Sequence, residues 1–427
     1  MSDQSTKRLW QWVPSLYYAE GLPYAFVMIV STIMYKNLGI SNTDIALYTS
    51  WLYLPWVIKP LWSPLVDILK TKRFWIIIMQ LVIGAGLAGI ALTLPTDNVF
   101  KFTLAFFWLI AFSSATHDIA ADGFYMIALP SHDQAWWVGI RNSFYRLAII
   151  TGQGFLVMLA GVLNDWTGNM ATAWSMLFGC LSIIFLLLGL YHKIQLPFPK
   201  SDSSDKNANV GSVMKNFFHV FISFFQKPKI VLIISFILLY RFGEAQLVKI
   251  APLFMLDDFA AGGLGLTNVQ LGFIQGTMGI IMLTLGGILG GLLVAKHGLK
   301  SWILWMALAM KLPDIVYVIM AYTQMDNISF ITAFVAIEQF GYGFGFTAYM
   351  LFMMMISDGE HKTAHYALCT GFMALGMMLP GMFSGALQET IGYQSFFIWV
   401  MVATIPGLIL IKFLDIDPNY GINKDSG

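Results

Sequence analysis

Residues 102–122 read FTLAFFWLIAFSSATHDIAAD, a run uncharged from Phe102 to Thr116 that then carries Asp118 and Asp122. About 20 apolar residues suffice for a helix to cross a bilayer. A charge near the centre of such a helix costs roughly 2.5 kcal/mol or more, so it is kept where it faces protein or a water-filled path. The two aspartates are four residues apart and share one helix face. Glu20, Arg146, Arg241 and Glu244 sit in equally apolar surroundings elsewhere in the chain. Acid and base groups placed at membrane depth read as a polar route through a membrane protein, and so as transport.

The rest of the composition agrees. Of 427 residues, 58% are hydrophobic and only 11% charged, against about 25% charged in soluble domains; mean hydropathy is +0.71. A net charge of +1 gives no sign of a nucleic-acid partner. Cys180 and Cys369 both lie in apolar runs and form no disulfide or metal pattern. No zinc pattern, nucleophile elbow or phosphate loop is present, so neither an enzyme nor a cofactor or metal is expected. Gly286-Gly287-Ile288-Leu289-Gly290-Gly291 lacks the lysine of a phosphate loop and reads as close helix packing. Lys7 and Arg8 precede an apolar stretch, but Glu20, Pro23 and the lack of a small-residue cleavage site make it a retained first span.

Twelve apolar runs have spanning length: 12–35, 43–65, 74–94, 102–129, 138–163, 171–192, 229–256, 267–295, 301–322, 330–356, 366–388 and 393–414. The longest break, 193–228, divides them six and six. Within it Pro197–Asn209 reads as a linker, while Phe217, Phe221 and Phe224 at helical spacing suggest a helix lying in the membrane interface. With the N-terminus inside, Lys70, Lys72, Arg73, the linker lysines, Lys296, Lys300 and Lys362 all fall on the cytoplasmic side, which places both termini there. Ser63-Pro64-Leu65-Val66-Asp67 with Lys72 is echoed by Gly291-Leu292-Leu293-Val294-Ala295 with Lys300 at the matching place in the second half. The expected organisation is an all-α membrane protein: a six-helix bundle over 1–192, a cytoplasmic linker over 193–228 and a second six-helix bundle over 229–427. That is the layout of the major facilitator superfamily, whose halves rock around a midplane site.

Within that superfamily the first half resembles the AmpG-type muropeptide permeases, relatives of the acetyl-CoA transporters. Gly21-Leu22-Pro23 is followed by Lys59-Pro60-Leu61-Trp62-Ser63-Pro64-Leu65-Val66-Asp67, similar to the family's F-K-x-L-W-S-P-L-x-D run. Ser113-Ser114-Ala115-Thr116-His117-Asp118-Ile119-Ala120-Ala121-Asp122, then Leu129-Pro130, is similar to its S-A-x-Q-D-I-x-x-D-A ending in L-P, and Tyr145-Arg146-Leu147 to its G-Y-R-L. The likeness covers about residues 15–165. It departs at Gly123, at Gly123-Phe124-Tyr125-Met126 where those permeases carry a lysine-bearing stretch, and at Glu20, which replaces a small residue. The resemblance implies proton-coupled import of N-acetylglucosaminyl-anhydro-N-acetylmuramyl sugars, with or without peptide, into the cytoplasm. It also implies that Asp67, with Lys70, Lys72 and Arg73, forms an inside latch.

Two carboxylates on one face in low dielectric do not both ionise easily, so one can take up and release a proton; Asp118 is expected to carry the coupling proton, with Arg146 alternately pairing with it or yielding. Arg146, at comparable depth on the next span, is the expected partner of one of them; a fixed ion cluster joining the two spans is the structural alternative. His117 points to another face, as a hydrogen-bonded packing histidine or a group titrating near 6.5. Glu20 has Tyr17 and Tyr24 on its own face, a set suited to sugar hydroxyls and amides, to proton binding, or to pairing with Lys59. Lys59 itself either meets the solute or snorkels to the interface. Arg241 and Glu244 either neutralise each other or meet cargo, with Lys249 further along as a base for a cargo carboxylate; Lys311 and Asp314 repeat the spacing and are read as self-paired. Glu338 is a gate or cargo-contact candidate. The expectation is therefore a monomeric symporter of the bacterial inner membrane that imports a sugar-containing solute, an anhydro-muropeptide first, with protons. Another oligosaccharide or organic solute symporter, or a drug efflux pump of the same layout, are the alternatives.

Overall fold

The computed structural model describes residues 3–129, 131–199, 202 and 210–422. Among these every regular element is helical. Ten helices among the described residues are long and apolar enough to cross a membrane, from Leu9–Asn37 to Lys362–Ile411. Two differences from the expected spans have local causes. The run expected at 43–65 is divided into Asn42–Trp51 and Leu54–Leu69, with a turn at Leu52-Tyr53 and prolines at 60 and 64 in its second part. The runs expected at 366–388 and 393–414 merge into one stretch bent at Gly392, whose φ of 75° is left-handed backbone open to glycine.

The chain forms two compact units. One comprises Met1–Gly39 and Ile58–Asn216, the other Ile40–Val57 and Phe217–Gly427. The front of the second expected span thus groups with the C-terminal helices. Asn42 donates to Gln388 Oε1 at 2.7 Å and Tyr393 Oη at 2.9 Å, and Tyr393 donates to Asp257 at 2.5 Å. Gly385 permits the approach, since a Cβ there would lie 2.0 Å from the Asn42 carbonyl oxygen.

In the first unit, Gly21 does the same for the first helix. A Cβ at Gly21 would meet the Tyr145 carbonyl oxygen and Ala148 Cβ at 2.8 Å, so only glycine lets helix Asp3–Ala25 lie against Ser131–Ile150. Pro23 lacks the amide needed to continue the ladder, and the helix runs on into a π turn at Phe26–Val30. In the second unit the glycine-rich run packs as expected. A Cβ at Gly286 would lie 2.0 Å from Phe340 O, and one at Gly343 1.8 Å from Leu283 O, locking Ile280–His297 to Ile328–Ser357. The amphipathic segment of the linker is a helix, Val210–Phe225, and Phe224 is fully buried in the second core beside His365 and Phe372.

Candidate functional site

The first unit gathers its charges around helix Val99–Ala128. Asp118 Oδ2 accepts from Lys59 Nζ, which reaches it from Leu54–Leu69. One turn on, Asp122 Oδ1 stands 3.0 Å from Arg141 NH1, on helix Ser131–Ile150. Arg141 also donates at 2.9 Å to the Tyr17 hydroxyl, which in turn donates to Asp122 at 3.2 Å. The guanidinium lies over the rings of Tyr17 and Tyr125, at 4.7 and 5.1 Å. Glu20, three residues after Tyr17, is 7% exposed, adjoins Asp118 and leaves its Oε2 without a hydrogen bond. Three carboxyls against two cations leave this cluster one negative charge in excess. Its four salt-bridged side chains are 21–35% exposed.

The geometry redistributes the expected roles. Lys59 bonds Asp118 rather than snorkelling away, and its ion pair is with Asp118 rather than Glu20. Arg141, and not the expected Arg146, stands beside one of the two aspartates, Asp122, while Arg146 lies exposed on the same helix. Arg141 is one and a half turns before Arg146, and its signal was the shared depth with Asp122 near the end of helix Val99–Ala128. Tyr24 is half-buried beside Tyr145. His117 points away, as expected, into a buried chain of hydrogen bonds. Gln80 bonds His117 Nε2 at 2.9 Å through its Nε2 and His192 Nδ1 at 2.8 Å through its Oε1, and His192 Nε2 meets Ser15 Oγ at 3.0 Å. The amide orientation assigns both rings the same tautomer, protonated at Nδ1: Gln80 donates to Nε2 of His117 and accepts from Nδ1 of His192. Arg73 stacks on Phe198 and donates to the carbonyls of Lys193 and Leu196, so it closes the end of helix Met170–Gln195. Asp202 accepts from the amides of Lys72 and Arg73 at 2.7 and 3.0 Å, as an acid does at a helix N-terminus. The Asp67 side chain lies outside the described residues.

The second unit holds a parallel cluster in a more buried setting. Glu244 Oε1 accepts from Arg241 NH2 at 2.6 Å and Nε at 3.1 Å, and its Oε2 lies 3.7 Å from Lys311 Nζ. Arg241 also donates to Tyr342 at 2.6 Å. Asp314 adjoins Lys311 and Glu338, and Glu338 accepts from Gln339 at 2.9 Å and from Tyr317 at 3.4 Å. The pairing of Arg241 with Glu244 is local, as one reading of the sequence had it, whereas Lys311 pairs with Glu244 and not with its own neighbour Asp314 alone. The ion-paired side chains here are 2–8% exposed. Among the described residues no group of three or more His, Cys, Asp or Glu stands ready to hold a metal.

Comparison with known proteins follows the same lines. A family model described as Major Facilitator Superfamily matches residues 17–310. The anhydromuropeptide permease of Escherichia coli (strain K12) is 25% identical over 401 residues, covering 92% of this chain and 77% of the permease. A Rickettsia felis protein named "Putative transporter AmpG 4" is 24% identical over 411 residues, covering 92% of this chain and 94% of its own. Among solved structures, the nucleoside transporter NupG superposes with a TM-score of 0.70 at 12% identity over 95% of this chain and 99% of its own. A D-xylose–proton symporter gives 0.68 at 14% identity over 98% and 99%. At such identities these two speak for the fold alone.

Proposed function

Because the chain belongs to the major facilitator superfamily, and so is a multi-pass membrane transporter of small molecules, we propose that it is a proton-coupled symporter importing a sugar-containing solute. An anhydro-muropeptide is the leading cargo and another amino-sugar or oligosaccharide the next. The observation that carries the coupling is the cluster of the first unit: Glu20, Asp118 and Asp122 against Lys59 and Arg141, with its ion-paired side chains part-exposed. One proton brings its charge to zero, and a neutral cluster is far cheaper to close away from water than a charged one. Asp118 carries the proton in this reading, with Lys59 released or held according to its occupancy; Asp122, with Arg141, and Glu20 complete the coupling set. Tyr17, Tyr24 and Glu20 supply hydroxyl and carboxyl groups suited to sugar hydroxyls and amides. The cargo assignment is supported by the AmpG-type motifs in the first half together with relatives carrying that name over nearly the whole chain.

The proposal includes twelve crossings, counting Asn42–Leu69 as one and Lys362–Ile411 as two, with both termini in the cytoplasm of a bacterium and the protein a monomer in the inner membrane. The clustering of Lys70, Lys72, Arg73, Lys296, Lys300 and Lys362 at one set of connections supports that orientation. Arg73 and Asp202 are assigned to holding the cytoplasmic ends of two helices together. The test is uptake into proteoliposomes under an imposed pH gradient, comparing anhydro-muropeptide, an N-acetylglucosamine disaccharide and acetyl-CoA. Anhydro-muropeptide should accumulate, and collapsing the gradient should abolish its accumulation. Accumulation that ignores the gradient overturns the symport, and failure with the two sugars overturns the cargo class.

A further inference from the structure

Among the described residues Arg241, Lys249 and Lys311 are buried in helices of the second unit, and their counter-ions tell them apart. Arg241 and Lys311 share Glu244. Lys249, on helix Phe242–Leu256, is 5% exposed and makes no ion pair among the described residues. Its Nζ donates at 2.8 Å to Thr49 Oγ1 and lies 5.9 Å from the ring centroid of Tyr53. The Thr49 hydroxyl spends its own proton on Ile45 O at 2.6 Å, so it holds the lysine in place and offers no charge. The adjoining Ser50 Oγ is likewise buried, without a hydrogen-bond partner.

An ammonium has three donors, and one hydroxyl satisfies one of them. A fixed structural role would be served at less cost by an apolar side chain of similar length, because removing an ammonium from water costs several kcal/mol that only an anion or several acceptors can offset. A buried lysine whose helix neighbours already own the nearby carboxylate is therefore short of an anion. We propose that Lys249 is the subsite for a carboxylate of the transported solute, with Thr49 its resting partner between turnovers. This rests on the symporter reading above and deepens it, for it makes the cargo an acidic sugar rather than a neutral one.

The test compares N-acetylglucosaminyl-anhydro-N-acetylmuramic acid with its carboxamide in proteoliposomes bearing the wild type, Lys249→Gln or Lys249→Arg. The wild type should show a KM at least tenfold lower for the acid. Lys249→Gln should raise the KM for the acid about tenfold while leaving that for the carboxamide within about twofold, and Lys249→Arg should keep the preference. Equal losses for both sugars in Lys249→Gln, or no change for either, overturns the subsite. If the wild type moves neither sugar, the cargo reading fails and the subsite is judged by thermal unfolding of the purified protein. Lactate should then stabilise the wild type and not Lys249→Gln, relative to chloride at equal ionic strength. Equal shifts in both proteins, or none in either, overturn it.

Discussion

The two units carry matching inventories of charge in opposite surroundings. Each places three carboxyls against two bases: Glu20, Asp118, Asp122, Lys59 and Arg141 in one, Glu244, Asp314, Glu338, Arg241 and Lys311 in the other. The first cluster is a fifth to a third exposed at its ion-paired side chains, and the second is 2–8% exposed. The same charges therefore have different physical consequences. Where water reaches a pair, an ion can be exchanged at small cost and the pair can break during a cycle. Where water is excluded, breaking a pair strands a charge, and the pair acts as a fixed part of the scaffold. The first cluster is suited to change state, the second to hold two helices at one geometry.

The largest expected effect therefore lies in the second unit. Glu244→Ala removes the one carboxylate shared by Arg241 and Lys311 and leaves both cations buried. It should lower stability by about 3–5 kcal/mol, as removal of one partner from a buried pair does, read as a fall in the thermal unfolding midpoint of the purified protein. Loss of transport with an unchanged midpoint would reverse the comparison and make this cluster the working one. Next in size is Asp118→Asn in the first unit. It should cut pH-gradient-driven uptake at least a hundredfold, a loss of about 2.7 kcal/mol, while the unfolding midpoint stays near the wild-type value. Uptake at the wild-type rate would end the role of Asp118 in coupling.

How far the sequence carried depended on whether a feature was local. The helices were legible because spanning length is written in consecutive residues. The glycine-rich run over 286–291 was legible as packing for the same reason. The two aspartates on one face and the pair Arg241 with Glu244 were legible because i,i+3 and i,i+4 spacing fixes proximity within a helix. Contacts between helices were not. The choice between Arg141 and Arg146 turns on the rotation of helix Ser131–Ile150 about its axis, which the close approach at Gly21 decides. Lys59 was named as a candidate, yet its partner depends on how far a long side chain extends toward Asp118. The grouping of residues 40–57 with the C-terminal helices, through Asn42, Gln388 and Tyr393, joins positions far apart in the chain and left no local trace.

Gln80 is the clearest case of that kind, and it marks the smallest expected effect. It is the one polar residue between Arg73 and Thr93 in the helix Lys72–Thr93. In the fold it is wholly buried and bridges His117 to His192, with its amide satisfying both rings at once. Gln80→Leu keeps the volume and removes both bonds, so each imidazole loses a partner in a place water does not reach. The cost should be about 2 kcal/mol, the range for stranded buried polar groups, seen as a lowered unfolding midpoint. Because His117 adjoins Asp118 in the chain, uptake separates two roles. A packing role leaves the pH profile of uptake unmoved, whereas a shifted profile at unchanged expression would extend the proposed coupling cluster of the first unit into its buried interior and blur the contrast between a part-exposed and a sealed set of charges.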